Sequence, residues 1–134
     1  MEAFPCPCCG HVVFGEGPGS YEICPVCFWE DDPVQLRWPD YAGGANRPPL
    51  AEAQRTYVRT TVSEVRLLPY VRDARPDEPV DPGWRSVDSA LDDFEPMGVS
   101  RAPWPKDLTV LYWWRPSFWR PAPPGRTGND DRSG

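Results

Sequence analysis

Cys6-Pro7-Cys8-Cys9-Gly10 and Cys24-Pro25-Val26-Cys27-Phe28 carry the same Cys-Pro-x-Cys pattern, with fourteen residues between Cys9 and Cys24. Two Cys-x-x-Cys turns brought together supply four thiolates at ~2.3 Å from one tetrahedral ion, with backbone amides directed at the sulfurs. Cys6, Cys9, Cys24 and Cys27 are therefore the expected metal ligands. Proline after the first cysteine fixes each turn, and Gly10 supplies the left-handed residue that closes the first knuckle. Phe28 stands where the second glycine is expected, so the second turn should differ or carry strain.

Working outward, His11-Val12-Val13-Phe14 reads as a short strand and residues 15–20 as a turn-rich hairpin loop. Tyr21-Glu22-Ile23 reads as the returning partner strand. Asn46 reads as the cap of a helix over about residues 47–65, with Pro48 and Pro49 in its first turn. Leu50, Ala53, Tyr57, Val58 and Val62 repeat at helical spacing. That helix should lie on the metal module. Residues 66–72 read as a turn and short strand, and residues 75–82 as an exposed linker rich in proline and acids. Residues 86–94 suggest a second short helix capped by Ser86, and Leu108-Thr109-Val110-Leu111-Tyr112-Trp113-Trp114 suggests a buried strand. Residues 121–134 are too poor in apolar side chains to offset their ordering entropy and read as a disordered tail.

The chain has 134 residues with 19 prolines and 11 glycines, which leaves little room for long helices. Seven tryptophans and ten other aromatics, concentrated toward the C-terminus, supply apolar area instead. Trp104, Tyr112, Trp113, Trp114, Phe118 and Trp119 read as core. The fold expected is a small α+β one: a zinc-ribbon or rubredoxin-like double-knuckle module over residues 3–76 with a packed helix, an aromatic-rich α+β extension over residues 77–120, and the tail.

No stretch approaches the ~20 apolar residues that cross a bilayer, and no signal-type start is visible, so a cytoplasmic location is expected. In that reducing compartment, five cysteines point to metal rather than a disulfide framework. Zinc is the expected ion. Iron is the alternative, because four cysteines also hold the iron of rubredoxin-like electron carriers. Cys8 is surplus: it replaces a neighbour as ligand, packs as a small apolar residue, or reacts as a thiol, with packing the favoured reading. His11, two residues after a ligand, is a weaker competitor for the ion.

The formal charge of −6 comes entirely from residues 1–45, where seven acids (Glu2, Glu16, Glu22, Glu30, Asp31, Asp32, Asp40) face Arg37 alone. A phosphate backbone is repelled there, which argues against a nucleic-acid-binding ribbon. Arg55, Arg59 and Arg66, with Arg115 and Arg120 beside aromatics, keep nucleic acid as a lesser alternative. The single histidine removes most His-dependent catalytic constellations, no phosphate loop is present, and a four-cysteine site leaves no open position for a water. A non-catalytic protein-interaction role follows. Phe28, Trp29, Glu30, Asp31 and Asp32 are its candidate contacts, and a basic protein, such as a nuclease toxin to be neutralised, is its partner.

The knuckles, together with Gly19-Ser20-Tyr21-Glu22-Ile23 before Cys24, Trp29-Glu30-Asp31-Asp32 after Phe28, Tyr41-Ala42-Gly43-Gly44-Ala45-Asn46, Leu50-Ala51-Glu52-Ala53 and Tyr57, resemble the bacterial cysteine-rich CPCC family. The resemblance covers roughly residues 3–76. It implies zinc on the same four cysteines and adds no enzyme activity; residues 77–134 extend beyond the shortest members.

Overall fold

Each cysteine pair sits in the turn of its own small antiparallel hairpin. In a computed structural model that describes residues 2–119, β1 (Phe4–Pro5) pairs with β2 (Val12–Phe14) around the first knuckle. Phe4 lies opposite Phe14 and Pro5 opposite Val12, with a register shift between the two pairs. The turn is closed by Cys6 N–H donating to His11 O (2.8 Å) and Gly10 N–H to Cys6 O (2.7 Å). The second knuckle repeats the pattern: Cys24 N–H donates to Trp29 O (2.8 Å) and Phe28 N–H to Cys24 O (2.8 Å). Its flanks bridge at Ile23 and Glu30.

The expected pairing of residues 11–14 with residues 21–23 is thus corrected. Each strand returns across its own knuckle, because the Cys-Pro-x-Cys turn is itself a tight hairpin turn and needs no longer loop. Residues 15–20 instead connect the two hairpins, held by Glu22, whose carboxylate accepts from Gly15 N (3.1 Å) and Glu16 N (2.9 Å).

After the second knuckle, α1 (Pro33–Arg37) opens on Asp32, whose Oδ1 accepts from Val34 N at 2.8 Å and Gln35 N at 3.4 Å, with Pro33 in the first turn. The sequence carried this signal in Asp32-Pro33, and an acidic run obscured it. α2 (Leu50–Thr60) begins at Pro49, not Asn46. Asn46 is buried and braces the chain, donating to Glu30 O (2.9 Å) and Gln35 Oε1 (2.9 Å) while its own oxygen accepts from Glu30 N (2.9 Å). Leu50, Ala51, Ala53 and Gln54 form the buried face of α2, and Val58, expected on that face, is 74% exposed. The helix stops at Thr60 because Thr61 turns left-handed (φ 66°) and Ser63 N–H is drawn to Cys27 O at 2.8 Å. Val65–Tyr70 is a 3-10 turn rather than a strand.

Residues beyond 76 pack onto the cysteine module. Pro79 O accepts from Val12 N (2.8 Å), Val80 bridges His11, and Asp81 N–H donates to Gly10 O (2.8 Å), so the expected linker adds an edge to the first hairpin. Residues 86–94 form only a local turn around Asp88 and Asp92, with Arg85 paired to Asp92. The expected strand at residues 108–114 is a 3-10 turn, Leu108–Leu111, capped by Asp107, and an irregular run beyond it. Leu111, Tyr112, Trp113, Trp114 and Phe118 are buried there in one core with the cysteines, Trp29, Leu36 and Leu50. Trp104 is 44% exposed. Residues 121–134 and Arg120 lie outside the described residues. Among the described residues, no helix is long and apolar enough to cross a membrane.

Candidate metal centre

Stacking the two hairpins turns four sulfurs toward one point. The Sγ atoms of Cys6, Cys9, Cys24 and Cys27 all lie within 4.8 Å of one another and all four residues are buried. Cys6 and Cys27 sulfurs are 3.6 Å apart and those of Cys9 and Cys24 3.8 Å. Metal–sulfur bonds of ~2.3 Å in a tetrahedron give an edge of about 3.8 Å, so the donors are spaced for an ion. A disulfide needs sulfurs at about 2.05 Å, and all five cysteines are free. Val26 N–H points at the Cys24 sulfur (3.4 Å), one of the amide contacts that stabilise a ligating thiolate.

The electrostatics agree with that reading. Burial, joined by hydrogen bonds to neighbouring thiols, pushes Cys6 and Cys27 well above the ordinary thiol range. Burial opposes ionisation of Cys24 as well, but hydrogen bonds from Cys27, Cys6 and Cys9 outweigh it and lower its pKa. A divalent cation among the four sulfurs would take the place of the protons that burial favours on Cys6 and Cys27.

Cys8 is fully buried, and burial raises its thiol pKa, so it packs as a small apolar residue and is inaccessible as a reactive thiol. His11 lies outside the ligand cluster: its Nδ1 donates to Glu78 O at 2.7 Å. Glu78 had no sequence signal for this role. Gln54, which donates to Pro7 O at 2.9 Å and so ties α2 to the first knuckle, had none either. Tyr57 packs, partly buried, against the core that holds the cysteines: burial, then the Cys9 and Cys27 sulfurs, push its phenol pKa up.

The candidate contact loop is largely turned inward. Trp29 is fully buried, with no acceptor for its indole N–H among the described residues, so the expectation that it forms an exposed hot spot is corrected. The same tight turn that presents Cys27 forces the following ring into the core. Asp31 is 2% exposed and accepts from Ser20 Oγ (2.8 Å); Asp32, 4% exposed, caps α1 and accepts from Ala45 N (2.8 Å). Both are structural. Phe28 is half-buried against Tyr70, with ring centroids 5.9 Å apart, and Glu30 is half-buried. Of the arginines considered for nucleic acid, Arg115 pairs with Asp81 (3.0 Å) and covers the Tyr112 ring, and Arg66 pairs with Glu64 (2.8 Å). Arg55 and Arg59 remain exposed on α2.

No match was found among curated proteins. A family model described as Cysteine-rich CPCC matches residues 4–78, more than half of the 134-residue chain, and spans both knuckles, α1 and α2. The four-cysteine cluster and this match agree, and the chain belongs to the cysteine-rich CPCC family.

Proposed function

We propose that the chain is a non-catalytic protein-interaction module built on a structural zinc ion, and that its partner is a basic protein. The observation that carries the zinc reading is the closed cluster of four buried cysteines at tetrahedral spacing. Four protein donors fill a tetrahedral ion's coordination, which suits a structural site and leaves no position for a hydrolytic water. The ion's role is then to hold two hairpins that are too short to fold alone. The only histidine is engaged with Glu78 O, and Asp31 and Asp32, which follow the second knuckle, serve as a clip and a helix cap rather than as acid and base.

The basic partner is argued from charge. The net charge is −6, and four thiolates around a divalent ion add roughly two negative charges to the same half of the chain. Such a field speeds encounter with a basic surface and repels phosphate backbones.

Native mass spectrometry with elemental analysis on untagged protein tests the centre, alongside Cys24→Ser. One zinc per chain, lost together with folding in the variant, is the expected result. One iron with visible absorbance would replace the reading with an electron carrier, and metal-free folded protein would end both.

A further inference from the structure

A cleft of about 260 Å3 opens beside the metal centre, where His11 of the first hairpin and Val26 of the second knuckle meet Tyr57 of α2 and the 3-10 turn Val65–Tyr70. Its volume is short of the ~300 Å3 at which sites for drug-sized ligands begin, and it is ample for one long side chain. Val26, Leu68, Val71 and Ala74 give it apolar walls.

Its polar groups are one-sided. Arg72 lines the cleft, but both its terminal nitrogens are held by the Glu78 carboxylate at 2.8 and 2.9 Å, which cancels its charge. The Asp73 carboxylate has no ion pair or hydrogen bond among the described residues. Glu78 O can only accept, so His11 Nδ1 donates to it. The Tyr57 hydroxyl has no partner among the described residues either. A carboxylate and a phenol oxygen, both able to accept, suit a donor cation; the apolar walls suit an aliphatic stem.

The elements that supply the cleft wall leave apolar side chains in solvent, Leu68 of the lining among them. Leu68 is 49% exposed, Tyr70 67% and Val65 60% on the one turn, with Val58 at 74% next to Tyr57. Exposed apolar side chains on the same elements suit a side chain delivered on a protein surface better than a free amine. We infer that this cleft receives a lysine or arginine side chain presented by a protein partner. The inference rests on the interaction role proposed above and gives it a contact point.

The test uses amide NMR shifts of the full-length, metal-loaded chain. n-Butylammonium, the lysine side chain alone, should give saturable shifts at Val26, Thr61, Leu68, Val71 and Ala74, whereas butyrate should give none there. Asp73→Asn, which removes a charge with no structural partner, should weaken the amine roughly five- to tenfold without changing the melting temperature. The tripeptide acetyl-Leu-Lys-Leu-amide should bind at least about tenfold more tightly than the amine, and Tyr70→Ser should erase that gain while leaving the amine's affinity alone. Equal shifts with butyrate, no saturation with the amine, or indifference to Asp73→Asn would overturn the cation site. A peptide no tighter than the amine would overturn the protein partner. If basic proteins bind the chain with salt-sensitive affinity yet leave these shifts unmoved, the interaction role stands and the cleft assignment falls.

Discussion

Gly10 and Phe28 occupy the same place in the two knuckles and show how differently one backbone requirement can be met. Both are left-handed, at φ 82° and 70°, and both donate back to the first cysteine of their turn. The turn therefore does not change to suit Phe28; the residue absorbs a strain of about 1 kcal/mol. At Gly10 a second constraint is added. A Cβ there would sit 2.6 Å from Trp84 Cδ2, and Trp84 donates from Nε1 to Pro7 O at 3.2 Å. Gly10→Ala should cost about 2–4 kcal/mol, since it combines backbone strain with displacement of a packed ring. Phe28→Gly relieves strain while losing the Tyr70 contact and gaining unfolded-state freedom, so its cost should stay below about 1.5 kcal/mol. Chemical denaturation of the two metal-loaded variants decides it, and equal costs would remove the Trp84 argument.

Asp31 makes a pH prediction at the same scale. Burial raises its carboxyl from 3.8 to about 6, against the lowering effect of the Ser20 hydrogen bonds, with Glu22 nearby adding to the rise. A folded pKa above the unfolded one means that the native state holds the proton longer. This group's contribution is therefore most favourable below about pH 4, falls as pH rises through 6, and levels off above. Protonation of the thiolate ligands acts in the opposite direction, but it is common to wild type and variant. The stability difference between wild type and Asp31→Asn should therefore drift against wild type between pH 5 and pH 7, by on the order of 1–2 kcal/mol. A flat difference would show that Asp31 titrates normally.

At the scale of elements, α2 ends where a β-branched residue has been asked to turn left-handed. Thr61 is exposed, its N–H satisfies Tyr57 O at 2.7 Å, and φ 66° is a conformation that glycine adopts without penalty. Thr61→Gly should stabilise the protein by about 0.5 kcal/mol, the relief of strain being partly offset by a more flexible unfolded chain. A lower melting temperature would show that the Thr61 side chain stabilises the helix end by more than its left-handed backbone costs.

The sequence was most legible where chemistry dictates spacing. Two ligands on one tight turn must be three residues apart, so the knuckles could be placed residue by residue. α2 was legible as a period, and its ends were not. Asn46 looked like a cap but serves as a tertiary brace, and the stop comes from Ser63 reaching Cys27, a contact no local pattern encodes. Residues 108–114 were misread because β-branched and aromatic content reports burial more than conformation. Leu111, Tyr112, Trp113 and Trp114 are indeed buried, but Asp107 accepts from Thr109 N at 3.0 Å and starts a 3-10 turn instead. Trp29 was misjudged in the other direction, as its acidic neighbours suggested solvent while the turn drove its ring inward.

For the whole molecule, the decisive contact joins α1 to the C-terminal segment. Arg37 is fully buried, with Glu95 at 2.6 Å and Ala102 O at 2.7 Å, and the Trp38, Trp104 and Trp119 rings surround its guanidinium with centroids 4.6–4.9 Å away. Burial works against the Glu95 carboxylate, yet the Arg37 bonds outweigh it and hold its pKa below the ordinary range. Removing one partner strands the other charge, so Glu95→Gln should destabilise by about 3–5 kcal/mol, whereas Arg37→Met with Glu95→Leu should recover much of that loss. The loss should reach the metal as well. The cysteines share a core with Leu111, Tyr112, Trp113 and Trp114, and Gln54 bridges the two parts by donating to Pro7 O and accepting from Val87 N at 2.9 Å. Metal release and tryptophan fluorescence should therefore follow one denaturation curve in wild type, and in Glu95→Gln both should shift to lower denaturant together. If the fluorescence transition moves while metal release stays in place, the aromatic segment and the knuckles are separate cooperative units, and the extension does not support the centre.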